Sequence, residues 1–364
     1  MTDFYKKYLK YKTKYFNLKQ NGGLEPIFYN IGDKKYEFKF KKIFEIGKAS
    51  SAIFIKNKII VTVKSGQLLL IDDYKNKPLI KEIKNMNSTK NFTAKDMEEG
   101  LLGVELNNNK IYLCYTIKSS DKRFSIYLVV DEYLMDDLDI KFTKNIIHIP
   151  FRTSYHHGGH LLFGPDNKLY LGTGDGGPQN DPYNESQNMA PLAYAGKILR
   201  INTDTLEVEI VALGLRNPWK FSFDSRKRMF IGDVGYESLE EINLIEDLNR
   251  RYNFGWSYFE GSRMNKSGKK FENFDPPIFE YPTGDKHGRA IIGGYFIDQL
   301  GIYVFADFLG FVRAIHFNGQ KWIQIAENKL DDKIYSLAYD GDDIYILGES
   351  GIYKMVVHHP LTNF

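Results

Sequence analysis

From about residue 40 onward one alternation of apolar and polar positions keeps returning. An apolar strand is followed by a polar turn and then by an aliphatic–aromatic strand: AIFIKNKIIVTV, VELNNNKIYLCY, LLFGPDNKLYLG, FSFDSRKRMFIG, GYFIDQLGIYVF and LAYDGDDIYILG. Period-two alternation broken by Gly, Asn, Asp and Pro is the signature of β-hairpins. Ile59, Ile111, Leu169, Met229, Ile302 and Ile344 anchor six copies, spaced by roughly 40–75 residues, the range of propeller-blade periods. Each copy reads as the inner hairpin of a four-stranded blade, so the pattern predicts an all-β fold, a six-bladed β-propeller spanning residues 24–364.

Helical periodicity is confined to the N-terminus. In MTDFYKKYLKYKTKYFNLKQ, Phe4, Tyr8, Tyr11 and Tyr15 fall on one helical face and lysines fill the others, up to the break at Asn21–Gly23. Residues 1–23 are expected to form a short basic amphipathic helix that packs on the body, or alternatively docks on a membrane surface or a partner. SLEEINLIEDLNR alternates and reads as a strand. Long loops are expected at 180–191 and 261–277.

Composition narrows the function classes. A 364-residue chain with 43% hydrophobic and 15% aromatic residues builds a well-packed body, and a net charge of +3 gives no reason to expect a nucleic-acid partner. The single cysteine, Cys114, excludes an intrachain disulfide and reads as a small buried hydrophobe. No run is apolar enough for a secretory signal or a bilayer span. That leaves the location open between the cytoplasm and, for a viral protein, the virion. The N-terminal stretch resembles segments that recur in proteins of large DNA viruses.

The chemistry gathers at Tyr155–Gly177, YHHGGHLLFGPDNKLYLGTGDGG. The turn at Pro165–Asn167 folds this stretch into a hairpin, which returns its two ends to one neighbourhood. His156 and Asp175 can meet there, and an imidazole oriented by a carboxylate is a general base suited to neutral pH. Zinc on His156, His157 and His160 would need a further ligand. Gly172, Gly174 and Gly177 spell a dinucleotide fingerprint, but PQNDP follows where a helix would have to start.

GLLGVEL, HHGGHLLFGPDNKLYLGTGDGG, AGKILRI, GLRNPWKFSFD, GDVGYESLEEINLI, NFGWSYFEG and RAIIGGYFI occur in this order. Together they resemble the glucose/sorbosone dehydrogenase family, the soluble quinoprotein sugar dehydrogenases and hedgehog-interacting-protein-like proteins. The resemblance implies a six-bladed propeller that oxidises an aldose at its anomeric hydroxyl with pyrroloquinoline quinone (PQQ) and calcium. It implies His156 as catalytic base and Asp175 as its orienting carboxylate. Arg216 and Asn217 would contact quinone and substrate, the carbonyls of Gly235 and Tyr236 would hold the active-site calcium, and Glu241 would serve a structural calcium.

The chain departs from the family at several points. Tyr155 stands where asparagine is usual and His160 where arginine or glutamine is common. Phe308 falls near the position of a quinone-contacting lysine, and the last blade, KIYSLAYDGDD, lacks arginines that contact the quinone. These departures support a runner-up, a catalytically silent propeller that binds a protein or glycan. A calcium-dependent lactonase fits the architecture but not the ordered motifs.

Overall fold

The computed structural model describes residues 37–358 except 97, 137–138 and 268–273, together with a strand pair at Asn30–Ile31 and Lys34–Lys35. The N-terminal helix expected over 1–23 lies outside the described residues. The body is an all-β, six-bladed propeller. Blades I to V are antiparallel sheets built from 49–85, 101–151, 161–213, 218–282 and 291–329, and blade VI comes from 334–358. All six anchor residues lie in the second strand of their blade, within the first two positions of that strand. The stretch around EEINLI is the strand Leu239–Ile245.

The first strands of successive blades pack on one another around the axis, except that blade III meets blade IV through its second strand, Leu169–Thr173. In five blades the register shifts near the start of this inner strand, at Ala49/Ser51, Leu101/Gly103, Pro218/Lys220, Ile291/Gly293 and Ile334/Ser336. A bulge re-aims the strand end, and here the bulged ends all border one face. Apolar clusters lie between neighbouring blades: Leu102, Tyr112 and Leu171 join II to III, and Tyr170, Ile198 and Ile231 join III to IV. Residues 37–44 close the ring. Glu37–Phe44 is the outer strand of blade VI and pairs antiparallel with Ile352–His358.

Two blades carry additions. Blade III gains the short parallel strand Tyr252–Asn253 beside Val208–Leu213. That strand belongs to an excursion between Leu239–Ile245 and Phe279–Pro282 of blade IV, which also contains the hairpin Phe259–Glu260/Arg263–Met264. Both additions rise on the face that carries the bulged strand ends.

Lys220 is buried at the axis, where its Nζ donates to the Ser50 carbonyl at 2.8 Å and approaches His160 Nδ1 at 3.5 Å. Burial lowers its pKa to about 7. Below pH 7 the folded protein carries a buried cation. Between pH 7 and the ordinary lysine range, folding expels a proton, so this site's contribution to stability rises with pH. Lys220→Met should raise stability by about 1–3 kcal/mol near neutrality. The gain should shrink as pH approaches 10, which denaturation midpoints at pH 6.5 and 9.5 will read.

Candidate active site

The loops at the bulged face meet at the axial mouth, and the hairpin Leu161–Phe163/Leu169–Thr173 brings His156 beside Asp175 as expected. His156 Nδ1 lies 2.7 Å from Asp175 Oδ1, with both residues buried. His156 adopts φ +54°, and Gly158 and Gly159 follow at +67° and +96°. A Cβ on Gly158 would lie 2.5 Å from the Gly172 carbonyl oxygen, so glycine there lets the histidine loop lie directly on the second strand.

Asp175 uses both oxygens. Oδ1 also accepts from the Gly177 amide at 2.8 Å, and Oδ2 accepts from Trp256 Nε1 at 2.7 Å. With Nδ1–H held by the carboxylate, Nε2 is the nitrogen left to receive a proton. Trp256 is buried, and its indole anchors the carboxylate. Trp219 packs between blade cores and donates from Nε1 to the Tyr335 carbonyl at 2.8 Å.

Arg216 and Asn217 join the same cluster. Their amides donate to Asp233 Oδ2 and Oδ1 at 2.9 and 2.7 Å, which fixes the loop entering blade IV. Asn217 Oδ1 accepts from the Gly158 amide at 3.1 Å. The Arg216 guanidinium lies 5.7 and 5.6 Å from the rings of Tyr236 and Trp256, and Nη1 donates to the Val234 carbonyl at 3.2 Å. Its Nε is buried without a partner. A desolvated cation with an unused donor is costly on its own and suits an anionic or carbonyl-bearing ligand.

One member of the site escapes a reading of the sequence. Glu98 Oε2 accepts from the His156 amide at 2.5 Å and from Asn217 Nδ2 at 3.1 Å, which ties the loops entering blades II, III and IV. In KDMEEG it looks like one of several solvated charges. The available signal was its place just before GLLGVEL, where the loop turns into the inner strand of blade II.

Gly235 and Tyr236 stand on a turn fixed by two carboxylates. Glu260 Oε1 accepts from the amides of Tyr236, Glu237, Ser238 and Leu239 at 2.7–3.1 Å. Glu240 Oε2 accepts from the amides of Gly235 and Ile291 at 3.1 and 2.9 Å. With these amides turned toward carboxylates, the turn leaves its carbonyls for a hard cation. Glu241 is the residue expected at a structural calcium. It is buried opposite Asp233 in the strand pair of blade IV, and its Oε2 has no partner. Burial, with Asp233 adding to it, holds its carboxyl well above the usual range. Both amide atoms of the neighbouring Asn243 are also unpartnered. Orphaned oxygens of this kind fit a cation or an ordered water.

The other two histidines turn into the body. His157 lies between the carbonyls of Glu98 and Thr153, each at 3.3 Å. His160 Nε2 donates to the Phe221 carbonyl at 3.0 Å, and burial with the Lys220 charge keeps the ring neutral. The three rings therefore serve separate partners instead of converging. Phe308 has a compensating neighbour: Lys333 Nζ stands 5.5 Å over its ring, and Phe308 packs edge-on against Tyr335 at 5.6 Å.

A six-bladed propeller whose mouth collects a histidine–carboxylate pair, a stacked arginine and a carboxylate-braced turn has the build of a sugar-dehydrogenase-type propeller. Residues 49–292 match the family described as glucose / sorbosone dehydrogenase. The chain belongs to that family. It is 34% identical over 211 residues to the HIPL1 protein of Arabidopsis thaliana, a match covering 44% of this chain and 29% of that protein. It is 28% identical over 213 residues to quinoprotein glucose dehydrogenase B of Acinetobacter calcoaceticus, covering 49% and 44%. The chain thus spans less than half the length of these curated relatives. Among solved structures it resembles the PQQ-bound aldose sugar dehydrogenase of Streptomyces coelicolor, with TM-score 0.69, 19% identity, and 88% and 99% of the two chains covered. It also resembles the soluble apo enzyme of Escherichia coli, with TM-score 0.71, 17% identity and the same coverage. At these identities the likeness speaks for the fold.

Proposed function

We propose that the protein oxidises a sugar at its anomeric hydroxyl with pyrroloquinoline quinone and calcium. The observation that carries this reading is the buried 2.7 Å contact of His156 Nδ1 with Asp175, which leaves Nε2 as the proton acceptor at the mouth. A sugar hydroxyl yields hydride only as its proton departs, so a base must reach that proton. His156 takes it on Nε2, and Asp175 stabilises the imidazolium that results. Arg216, with its unused Nε–H, orients the oxygen-bearing ligand, and Glu98 keeps His156 and Asn217 in register. When bound, the quinone supplies the hydride acceptor and calcium a Lewis acid. Calcium would rest on the carbonyls of Gly235 and Tyr236, and a second ion would rest beside Glu241 and Asn243.

The residues at the mouth fit an anionic quinone better than a motif comparison suggests. Lys333 supplies a cation beside Phe308. Lys333→Met should weaken quinone binding about five- to tenfold, read from a titration of the bound quinone's absorbance. An unchanged dissociation constant would remove Lys333 from the site.

A silent propeller that binds a protein or glycan is the second reading. It is favoured by Phe308 and by the similarity to proteins named for hedgehog interaction, 30% identical over 123 residues in the human protein. Reconstitution with quinone and calcium, followed by dye reduction with a panel of aldoses, separates the two. A red-shifted quinone band with turnover supports the enzyme. Absence of quinone binding at high concentration selects the binding module.

A further inference from the structure

A ligand whose reacting end lies against His156 Nε2 must leave the mouth across one sector of the rim. The sector between blades II and III presents two large rings to water. Tyr155, directly before the catalytic histidine, is 53% exposed, and Tyr183 is 55% exposed. The Arg152 guanidinium lies 4.8 Å over the Tyr183 ring, and Arg152 Nε approaches Glu185 Oε1 at 3.5 Å. Arg152 follows the last strand of blade II, whereas Tyr183 and Glu185 belong to the long loop of blade III. The contact therefore joins the two sides of this sector.

These rings stand on a firmly held scaffold. Asp181 accepts from the amides of Glu185 and Ser186 and from Ser186 Oγ at 2.8, 2.9 and 2.6 Å. Buried Lys197 donates to the carbonyls of Glu185, Ser186 and Ala195 at 2.9, 2.8 and 2.7 Å. Ser186 Oγ and Gln187 Nε2 both reach the carbonyl of Trp256, whose indole holds Asp175. A loop fixed this way to the reactive carboxylate presents Tyr183 in a constant place. An exposed flat ring such as Tyr155, and one flanked by a planar guanidinium such as Tyr183, match the C–H faces and hydroxyl edges of pyranose rings.

We propose that Tyr155, Tyr183 and Arg152 form an outer subsite that stacks the second and third rings of an extended ligand, so that oligosaccharides are preferred over free monosaccharides. The proposal rests on the sugar reading of the mouth. It also gives a use to Tyr155, the residue that departs from the family pattern directly beside His156.

The test uses the full chain and two readouts, calorimetric binding and kcat/KM after reconstitution, with glucose, maltose, maltotriose, cellobiose and cellotriose. One trisaccharide should bind about tenfold tighter than glucose, the gain expected of two aromatic stacking contacts. Tyr155→Ala/Tyr183→Ala should lose that gain, with glucose binding changed less than twofold and the thermal midpoint held. Equal affinity for glucose and both trisaccharides overturns the subsite, as does an equal loss for all sugars in the double variant. Binding of no sugar also overturns it and leaves the rim to a protein partner. Length-dependent binding without turnover of any sugar would keep the subsite and reject the oxidoreductase, whereas turnover without length dependence would do the reverse.

Discussion

His156→Ala will lower kcat/KM for aldose oxidation by on the order of 10³-fold, within the range supplied by a positioned general base. It will leave the absorbance shift of bound quinone in place. The variant removes the nitrogen that receives the hydroxyl proton but not Arg216, the Gly235–Tyr236 turn or Lys333. Asp175→Asn will cost nearly as much by a different route. The carboxylate receives three N–H groups on two oxygens, from His156, Gly177 and Trp256. A carboxamide has one acceptor oxygen, so either orientation turns its NH₂ toward at least one of those donors. The imidazole then loses its fixed tautomer or the indole loses its anchor. Stopped-flow reduction of bound quinone by a single aldose reads both effects. Turnover of His156→Ala within tenfold of the parent would reject the histidine as base.

The second large effect concerns the ring. Glu37–Phe44 buries Phe38 and Phe44, at 3% and 7% exposure, in the cores on either side of blade VI. Phe38→Ala should cost about 3–5 kcal/mol, the usual range for a buried phenylalanine. Removing residues 1–44 should cost more, because it also bares the edge of Ile352–His358 and the flank of the Ile334–Tyr339 blade. Chemical denaturation followed by tryptophan fluorescence and by far-ultraviolet circular dichroism will show it. The parent should give one shared midpoint. The truncated chain should unfold at lower denaturant, with midpoints that no longer coincide. A single, unshifted transition would mean that the strand is an ornament on an already closed barrel of blades.

What was legible in the sequence follows from where the signal is local. The inner hairpins show themselves because both strands and the turn lie within a dozen residues, and all six anchors fall on second strands. The outer strands do not. Glu37–Phe44 alternates well, yet its partner, Ile352–His358, lies far away in sequence. The fourth strand of blade IV follows an excursion that hides its register. In the site, His156, Asp175, Arg216 and Asn217 sit in glycine- or proline-marked turns and could be picked out. Glu98, Trp256 and Lys333 could not, since each gains its role from a neighbour on another blade. KDMEEG reads as solvated charge, a tryptophan as core, and the first residue of KIYSLAYDGDD as a strand end. The mouth is a product of closure, and pairwise spacing along a chain does not carry it.

Closure also sets an order of events during synthesis. The strand 37–44 leaves the ribosome long before its hydrogen-bonding partner, 352–358. At ordinary elongation speeds of 5–20 residues per second, that edge stays unpaired for roughly 15–60 s. The nascent propeller is an open crescent throughout that interval, with blade I exposing the face that blade VI will later cover. Its lysines, at 39, 41 and 42, lie on this waiting edge, where charge discourages pairing with another chain before the rightful partner arrives.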